Sequence, residues 1–432
     1  MALALRLTRQ GHRVTVFERA ASVGGLASPA KIGEFTWDRF YHVTLLSDTS
    51  LRALLEEIGL ADRLRWAVTR TGVFGKGKLH SVSTSLEFLT FPLLSLVDTA
   101  RLAATILYAS RIRDGRALEA IPVTEWLQRW SGRRTWERLW LPLLRSKLGE
   151  NYRLASASFI WAIIARMYGA RRSGQKREMF GYVDGGYDTV LRRLYQHLVD
   201  AGVTIRLGAG VEEVHSSAGS AMVRAGDGQT HEFDDVVVTL PCSRIARVCP
   251  QLTESERTRL GRVVYQGVLC ASVLLRRPLG GFYVTNITDD GFPFTAVIEM
   301  TALVDPATFG GHTLVYLPRY LAQEESYWSR NDAEVREDFL QGLERMYPDL
   351  RREDVLAFEV SRVREVLAIA TLNYSAAAMP PVPTAAEHIY IVNSAQIANG
   401  TLNVNETLML AERQAAILGP LLQPSPALAG AS

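Results

Sequence analysis

The stretch from His12 to Ala27 constrains this chain more than any other. Val14-Thr15-Val16-Phe17 is rich in β-branched residues and reads as a short buried strand, and the strand ends on Glu18. Ahead of it, Ala2 to Gln10 has helical spacing and is closed by Gly11, the residue that best accepts a left-handed helix end. Behind it come Arg19 to Val23, the pair Gly24-Gly25, and Leu26-Ala27. A helix feeding a parallel strand that ends on an acid is part of a βαβ unit. A carboxylate there can accept hydrogen bonds from both hydroxyls of a ribose, which points Glu18 at the adenosine half of a dinucleotide.

Such a unit also needs a first strand and a Gly-x-Gly-x-x-Gly turn, whose N–H groups face a pyrophosphate at the helix N-terminus. Met1 already stands inside the helix. The expectation is a true start ~15 to 25 residues upstream, encoding that strand and turn, with the strand lying between those of Val14 and Val203. A decayed gene is the alternative. The chain as given is then expected to hold a dinucleotide poorly and to aggregate through unpaired strand edges.

At 432 residues there is room for two or three domains, and 22% charged with 47% hydrophobic residues is ordinary globular composition. Lysine plus arginine exceeds aspartate plus glutamate by only three, so nothing draws the chain to nucleic acid. Cys242, Cys249 and Cys270 make no Cys-x-x-Cys pair and are odd in number, so neither a disulfide framework nor a metal site is expected, and a cytoplasmic setting is.

The Glu18-Arg19 to Gly24-Gly25-Leu26 pattern resembles the FAD-dependent oxidoreductases that include monoamine and polyamine oxidases, protoporphyrinogen oxidase and phytoene-type desaturases. Further segments carry the resemblance along the chain. The helix end running from Leu54 to Ile58-Gly59-Leu60 is similar to the family's Leu-x-x-Leu-Gly-Leu element. Phe180 to Thr189 contains Gly185-Gly186 before a helix from Val190 to Asp200, and a strand from Val203 to Leu207 follows. Asp234-Asp235-Val236-Val237 runs to Pro241, and His388 to Gln396 leads into Asn399-Gly400-Thr401-Leu402-Asn403-Val404 and a helix from Glu406. The resemblance implies FAD as cofactor, with Glu18, Arg19, Gly24, Gly25, Leu26, Ala27, Val211, Gly400, Thr401, Asn403 and Val404 binding it. Many amine oxidases carry Arg where this chain has Leu26. The last helix would aim its N-terminus at the flavin, where about half a positive charge stabilises the reduced, anionic ring.

Other segments keep two readings. His42 is either a flavin or substrate contact or a packed aromatic beside Tyr41. Lys147 is either a catalytic lysine or a surface one. Trp126, Trp130, Trp136 and Trp140 either line a substrate channel or pack helices. Leu86 to Tyr108 is interrupted by Glu87, Asp98 and Arg101, too often for a span of ~18 to 20 apolar residues, leaving a buried helical pair or a membrane-facing helix. The run Arg171 to Arg177 reads as a solvated basic loop or an anion contact. Ser47 to Ser50 should supply a side-chain cap for the helix starting at Leu51. Glu299, Arg319 and Asn373-Tyr374 are candidates to face the flavin.

The expected fold is α/β: a glutathione-reductase-like, Rossmann-type FAD/NAD(P)-binding domain from 1–70, 178–262 and 384–424. A second α+β substrate domain, antiparallel sheet plus helical block, takes 71–177 and 263–383, and 425–432 is a disordered tail. The expected activity is hydride transfer from a C–N or C–C bond of a small organic substrate, polar or hydrophobic, to flavin, with O2 or a quinone as electron acceptor. The competing readings are a non-redox mutase of the UDP-galactopyranose type and a flavin-less remnant with a binding role. Membrane contact, if any, is peripheral.

Overall fold

The computed structural model describes residues 1–84, 87, 91–171 and 179–422. Most of the basic run up to Arg177, the tail from 425 and part of the 86–108 stretch lie outside the described residues.

The first helix, Ala2–Arg9, buries Ala4, Leu5 and Leu7 and leads through Gly11, at φ +91°, into the strand Thr15–Phe17. This strand pairs in parallel with Thr204–Arg206, placing Thr15 opposite Thr204 and Phe17 opposite Arg206. The Glu18 N–H donates to the Arg206 carbonyl at 2.9 Å. No strand can therefore lie between those of Val14 and Val203, which corrects the expected order. Hydrophobic alternation identifies strands but says nothing about which of them are neighbours. A second parallel pair joins Val236–Val238 to Ile389–Ile391, in a separate two-stranded sheet. Val14 and Val237, one from each pair, pack on the same cluster of Leu7, Val392, Ala415 and Leu418, so the first and last helices cover both pairs.

The helix expected from Val190 begins earlier, at Gly186, and runs to Asp200. Gly185 at φ +81° and Gly186 at φ +67° turn the chain into it, and a side chain on Gly186 would meet the Asp38 carboxylate at 2.8 Å. A three-stranded antiparallel meander, Val211–Ser217, Ser220–Ala225 and Thr230–Phe233, follows the Thr204–Arg206 strand.

The largest sheet has seven strands, in spatial order Val355–Ala368, Tyr265–Leu275, Thr313–Leu321, Ala296–Glu299, Val284–Ile287, Thr71–Gly75 and Lys78–Ser81. Its pairings are antiparallel except that of Val284–Ile287 with Thr71–Gly75. Every residue of Tyr265–Leu275 is buried because both faces are covered. Leu269, Ala271, Val273 and Leu275 face a cluster with Phe339 and Leu343 of the helix Asp332–Met346. Val268, Cys270 and Leu274 face the hairpin of Pro29–Ile32 and Phe35–Asp38, through Trp37, Phe309 and Tyr316. Alternation at period two thus sorts one strand's side chains between two cores.

Helices Leu96–Arg111, Val123–Ser131, Leu141–Leu148 and Ala157–Arg171 form the helical block. Trp126, Trp136, Trp140 and Trp161 sit in its core with Leu127 and Leu148, so the tryptophans pack helices. Trp130 lies at the surface, its ring stacked 4.1 Å from that of Tyr108. Among the described residues, no helix is long and apolar enough to cross a membrane.

Candidate FAD and substrate site

The end of the Thr15–Phe17 strand, the glycine pair and the start of the last helix meet around one apolar cluster. Val16, Ala27 and Val404 all pack against the group containing Leu5, Leu55 and Val190. Glu18 accepts the Ala20 N–H at 2.8 Å through one carboxylate oxygen. Among the described residues, no donor reaches its other oxygen. Gly24 has φ +121°, and a Cβ there would lie 2.5 Å from Leu191 Cδ1. Gly25 has φ +55° with open space where a side chain would stand. The backbone at Gly25 is bare on one side, as a cradle for a phosphate-bearing ligand requires. Arg19 is exposed and packs on Gly210, next to Val211, while Leu26 is directed into the apolar core with Trp37.

The last helix starts at Val404, two residues before the expected Glu406, and runs to Leu418. The reason is Asn403, whose Oδ1 accepts the Glu406 N–H at 3.0 Å and whose Nδ2 donates to the Thr401 carbonyl at 2.6 Å. Thr401 and Asp48 are joined by Arg166, which reaches Thr401 Oγ1 at 3.4 Å and Asp48 Oδ2 at 3.1 Å. The Asp48 carboxylate also accepts the Leu45 N–H at 2.8 Å, so it is committed to that turn and to a guanidinium. No side chain from Ser47 to Ser50 caps the helix Thr49–Glu57, contrary to expectation. The Leu51 N–H is bound from outside instead, by Asn405 Oδ1 of the last helix at 3.1 Å. Burial pushes the Glu406 carboxyl above its usual range, with Arg166 opposing and Asp48 reinforcing the shift.

A second clamp holds the preceding loop. The buried Glu119 carboxylate accepts the Ser375 N–H at 2.9 Å, the Ser375 hydroxyl at 2.7 Å and Asn399 Nδ2 at 3.0 Å. Asn399 is thereby turned so that its Oδ1 is buried without a partner. These features fit FAD: an acid for ribose, an open glycine backbone at Gly25 for diphosphate, and a capped helix N-terminus.

His42 and Lys147 are the two candidate catalytic residues. His42 Nδ1 lies 3.6 Å from Asp38 Oδ2, too far for a hydrogen bond, and is buried unpaired. Its ring rests 4.8 Å from that of Tyr187, so the packed-aromatic reading holds alongside an open ring nitrogen. Asp38 is fixed by the Tyr187 N–H at 2.7 Å, and its carbonyl accepts the Tyr316 hydroxyl. Next to His42, the Tyr41 hydroxyl meets that of Tyr320 at 2.8 Å, and burial followed by Tyr320 holds the Tyr41 phenol well above its ordinary range. Lys147 Nζ stands over the Tyr320 ring, 5.1 Å from its centroid, so the structure brings it to the same place as Tyr41.

The other candidates have structural duties. Glu299 accepts the N–H groups of Leu279, Gly280 and Gly281, Arg319 donates to the Pro293 carbonyl, and the Tyr374 hydroxyl donates to the Ala395 carbonyl. Glu119, Asp48, Arg166, Tyr41 and Tyr320, which the structure joins to these candidates, are not singled out by the sequence. Only the small polar composition around Asp48 and the aromatic pair Tyr41-His42 gave any signal.

A family model described as flavin containing amine oxidoreductase matches residues 1–388. Among solved structures, a protein assigned as protoporphyrinogen oxidase from Exiguobacterium sp. 255-15 is 18% identical, covering 97% of this chain and 96% of its own, at a TM-score of 0.76. An oxidoreductase from Methanosarcina mazei is 20% identical over 96% of this chain and 97% of its own, at 0.74. A reduced UDP-galactopyranose mutase is 15% identical over 97% and 91%, at 0.72. Among curated proteins no match was found.

Proposed function

Because the chain belongs to the flavin-containing amine oxidoreductase family, we propose that it oxidises a small organic substrate at a C–N or C–C bond. It is an FAD-dependent oxidoreductase. When bound, FAD supplies the two-electron acceptor for the hydride, and the protein supplies orientation and electrostatics. Glu18 holds the ribose, while Arg19, Gly24, Gly25, Leu26 and Ala27 line the diphosphate approach. Val211 meets the adenine end through its backbone. Gly400, Thr401, Asn403 and Val404 present the last helix's N-terminus to the ring. Tyr41, His42, Tyr320 and Lys147 border the substrate, and O2 or a quinone removes the electrons. The FAD domain is drawn from 1–70, 178–262 and 384–424, and the substrate domain from 71–177 and 263–383.

The observation that carries this reading is that Val16, Ala27 and Val404, which flank Glu18, the Gly24-Gly25 pair and the Asn403-capped helix start, pack on one cluster. Anaerobic mixing with amines, porphyrinogens and polyenes tests it. Bleaching of the oxidised flavin band by one of these classes is expected. Bleaching by none, with sugar-nucleotide isomerisation only after dithionite reduction, would make the protein a mutase.

We place the protein in the cytoplasm with peripheral membrane contact through Leu96–Arg111. Leu96 and Val97 are 75% and 69% exposed, and Leu107, Tyr108 and Trp130 are partly exposed along the same side. Arg101 and Arg111 on this helix suit an anionic bilayer surface. Binding to vesicles containing phosphatidylglycerol, released by a carbonate wash, is expected; retention after the wash would contradict it.

A further inference from the structure

Among the described residues, Lys147 is a half-buried cation with no carboxylate in salt-bridge reach. Its contact is the ring face of Tyr320, whose hydroxyl is bonded to that of Tyr41. The nearby Glu325 carboxylate is engaged elsewhere, accepting the Ala322 N–H at 2.8 Å and facing Arg319.

A second unfilled donor lies on the same face. Val268 is opposite Tyr320 in the sheet, and Gln266, two residues along the same strand, projects to the same side and is diagonal to Tyr320. Gln266 is fully buried, and its Nε2 has no partner. Its Oε1 accepts Asn151 Nδ2 at 3.1 Å, and Asn151 stands four residues after Lys147. Whichever way the two amides are turned, one NH2 group of the pair remains free. The cluster therefore offers an ammonium, an amide NH2 and phenolic hydroxyls, with no anion to receive them among the described residues.

We infer that Lys147, Gln266, Asn151, Tyr320 and Tyr41 form a subsite for a carboxylate on the substrate, so that the preferred substrate is an acid-bearing molecule rather than a simple amine. A simple amine would bring a second positive charge to an unpaired lysine and leave the free amide donor unpaired. A carboxylate accepts from both donors at once, and its bonds to them are charge-assisted. This rests on the flavoenzyme reading, because the site takes its substrate role from Tyr41 and His42.

The test is titration of the purified holoprotein with benzoate, benzylamine and benzyl alcohol, followed by calorimetry and by the visible flavin band. Benzoate should bind at least tenfold more tightly than benzyl alcohol, with benzylamine weakest, and added salt should weaken benzoate selectively. Lys147→Met should lose that tenfold preference and Lys147→Arg should keep most of it. Benzoate binding no tighter than benzyl alcohol, or undiminished in a folded Lys147→Met, would overturn the inference. The wild-type comparison and its salt dependence need no variant to fold. Absence of flavin would instead overturn the functional reading, while calorimetry would still decide for or against the carboxylate subsite.

Discussion

Removing the Glu119 carboxylate should loosen the loop that leads into the last helix. Three donors converge on this buried group: the Ser375 N–H on Oε2, and the Ser375 hydroxyl and Asn399 Nδ2 on Oε1. In Glu119→Ala all three lose a charged acceptor in a buried site, which should cost about 3 to 5 kcal/mol in total. Unfolding entropy for 432 residues is about 0.9 kcal/mol per degree, so the melting temperature should fall by about 3 to 5 °C if the chain unfolds cooperatively. Glu119→Gln keeps the volume and one carbonyl acceptor, so about 1 to 2 kcal/mol is expected. The backbone carbonyl of Glu119 still accepts the Asn373 N–H in both variants, so the local chain path is retained. Calorimetric melting and flavin retention on dilution read the two consequences. The Ala variant should release flavin about tenfold more readily and the Gln variant less than threefold. Equal melting and equal flavin retention in Glu119→Ala would refute the clamp.

Glu18→Ala should weaken FAD retention by ~1.5 to 3 kcal/mol, the worth of hydrogen bonds to a charged group, and unchanged affinity in equilibrium dialysis would count against the ribose role. Gly24→Ala forces an L residue to φ +121° and a Cβ 2.5 Å from Leu191 Cδ1, so a loss of about 2 to 3 kcal/mol is expected in denaturant titration. Leu191→Ala in the same chain should recover the steric share only, and full recovery would deny the backbone strain. Glu406, whose carboxyl is raised by burial, favours folding while protonated, and that contribution is lost as pH rises from the unfolded value of about 4.3 through the raised folded one. Glu406→Gln should therefore be more stable than the parent at neutral pH and equal to it below about pH 4; a constant difference across pH would contradict the shift.

The parts of the fold set by short-range physics were legible in the sequence. The β-branched run marked the strand Thr15–Phe17, and glycine marked the turns at Gly11 and Gly185-Gly186. What was not legible depends on contacts between distant segments. Strand order was misplaced because Val14 and Val203 carry no mark of their pairing. The cap of Thr49–Glu57 was missed because its acceptor, Asn405, comes 354 residues after Leu51. Glu119 looks like any helix-turn glutamate until Ser375 and Asn399 fold onto it. Lys147 keeps two readings in the sequence, and the packing of Leu141–Leu148 on the large sheet brings it to Tyr320.

The most direct test of the central claim is the ultraviolet-visible spectrum of the purified protein after supplementation with FAD and desalting. The account predicts an oxidised flavin band in the parent that is sharply weaker in Glu18→Ala. Protein that is folded by circular dichroism yet retains no flavin after supplementation would contradict it.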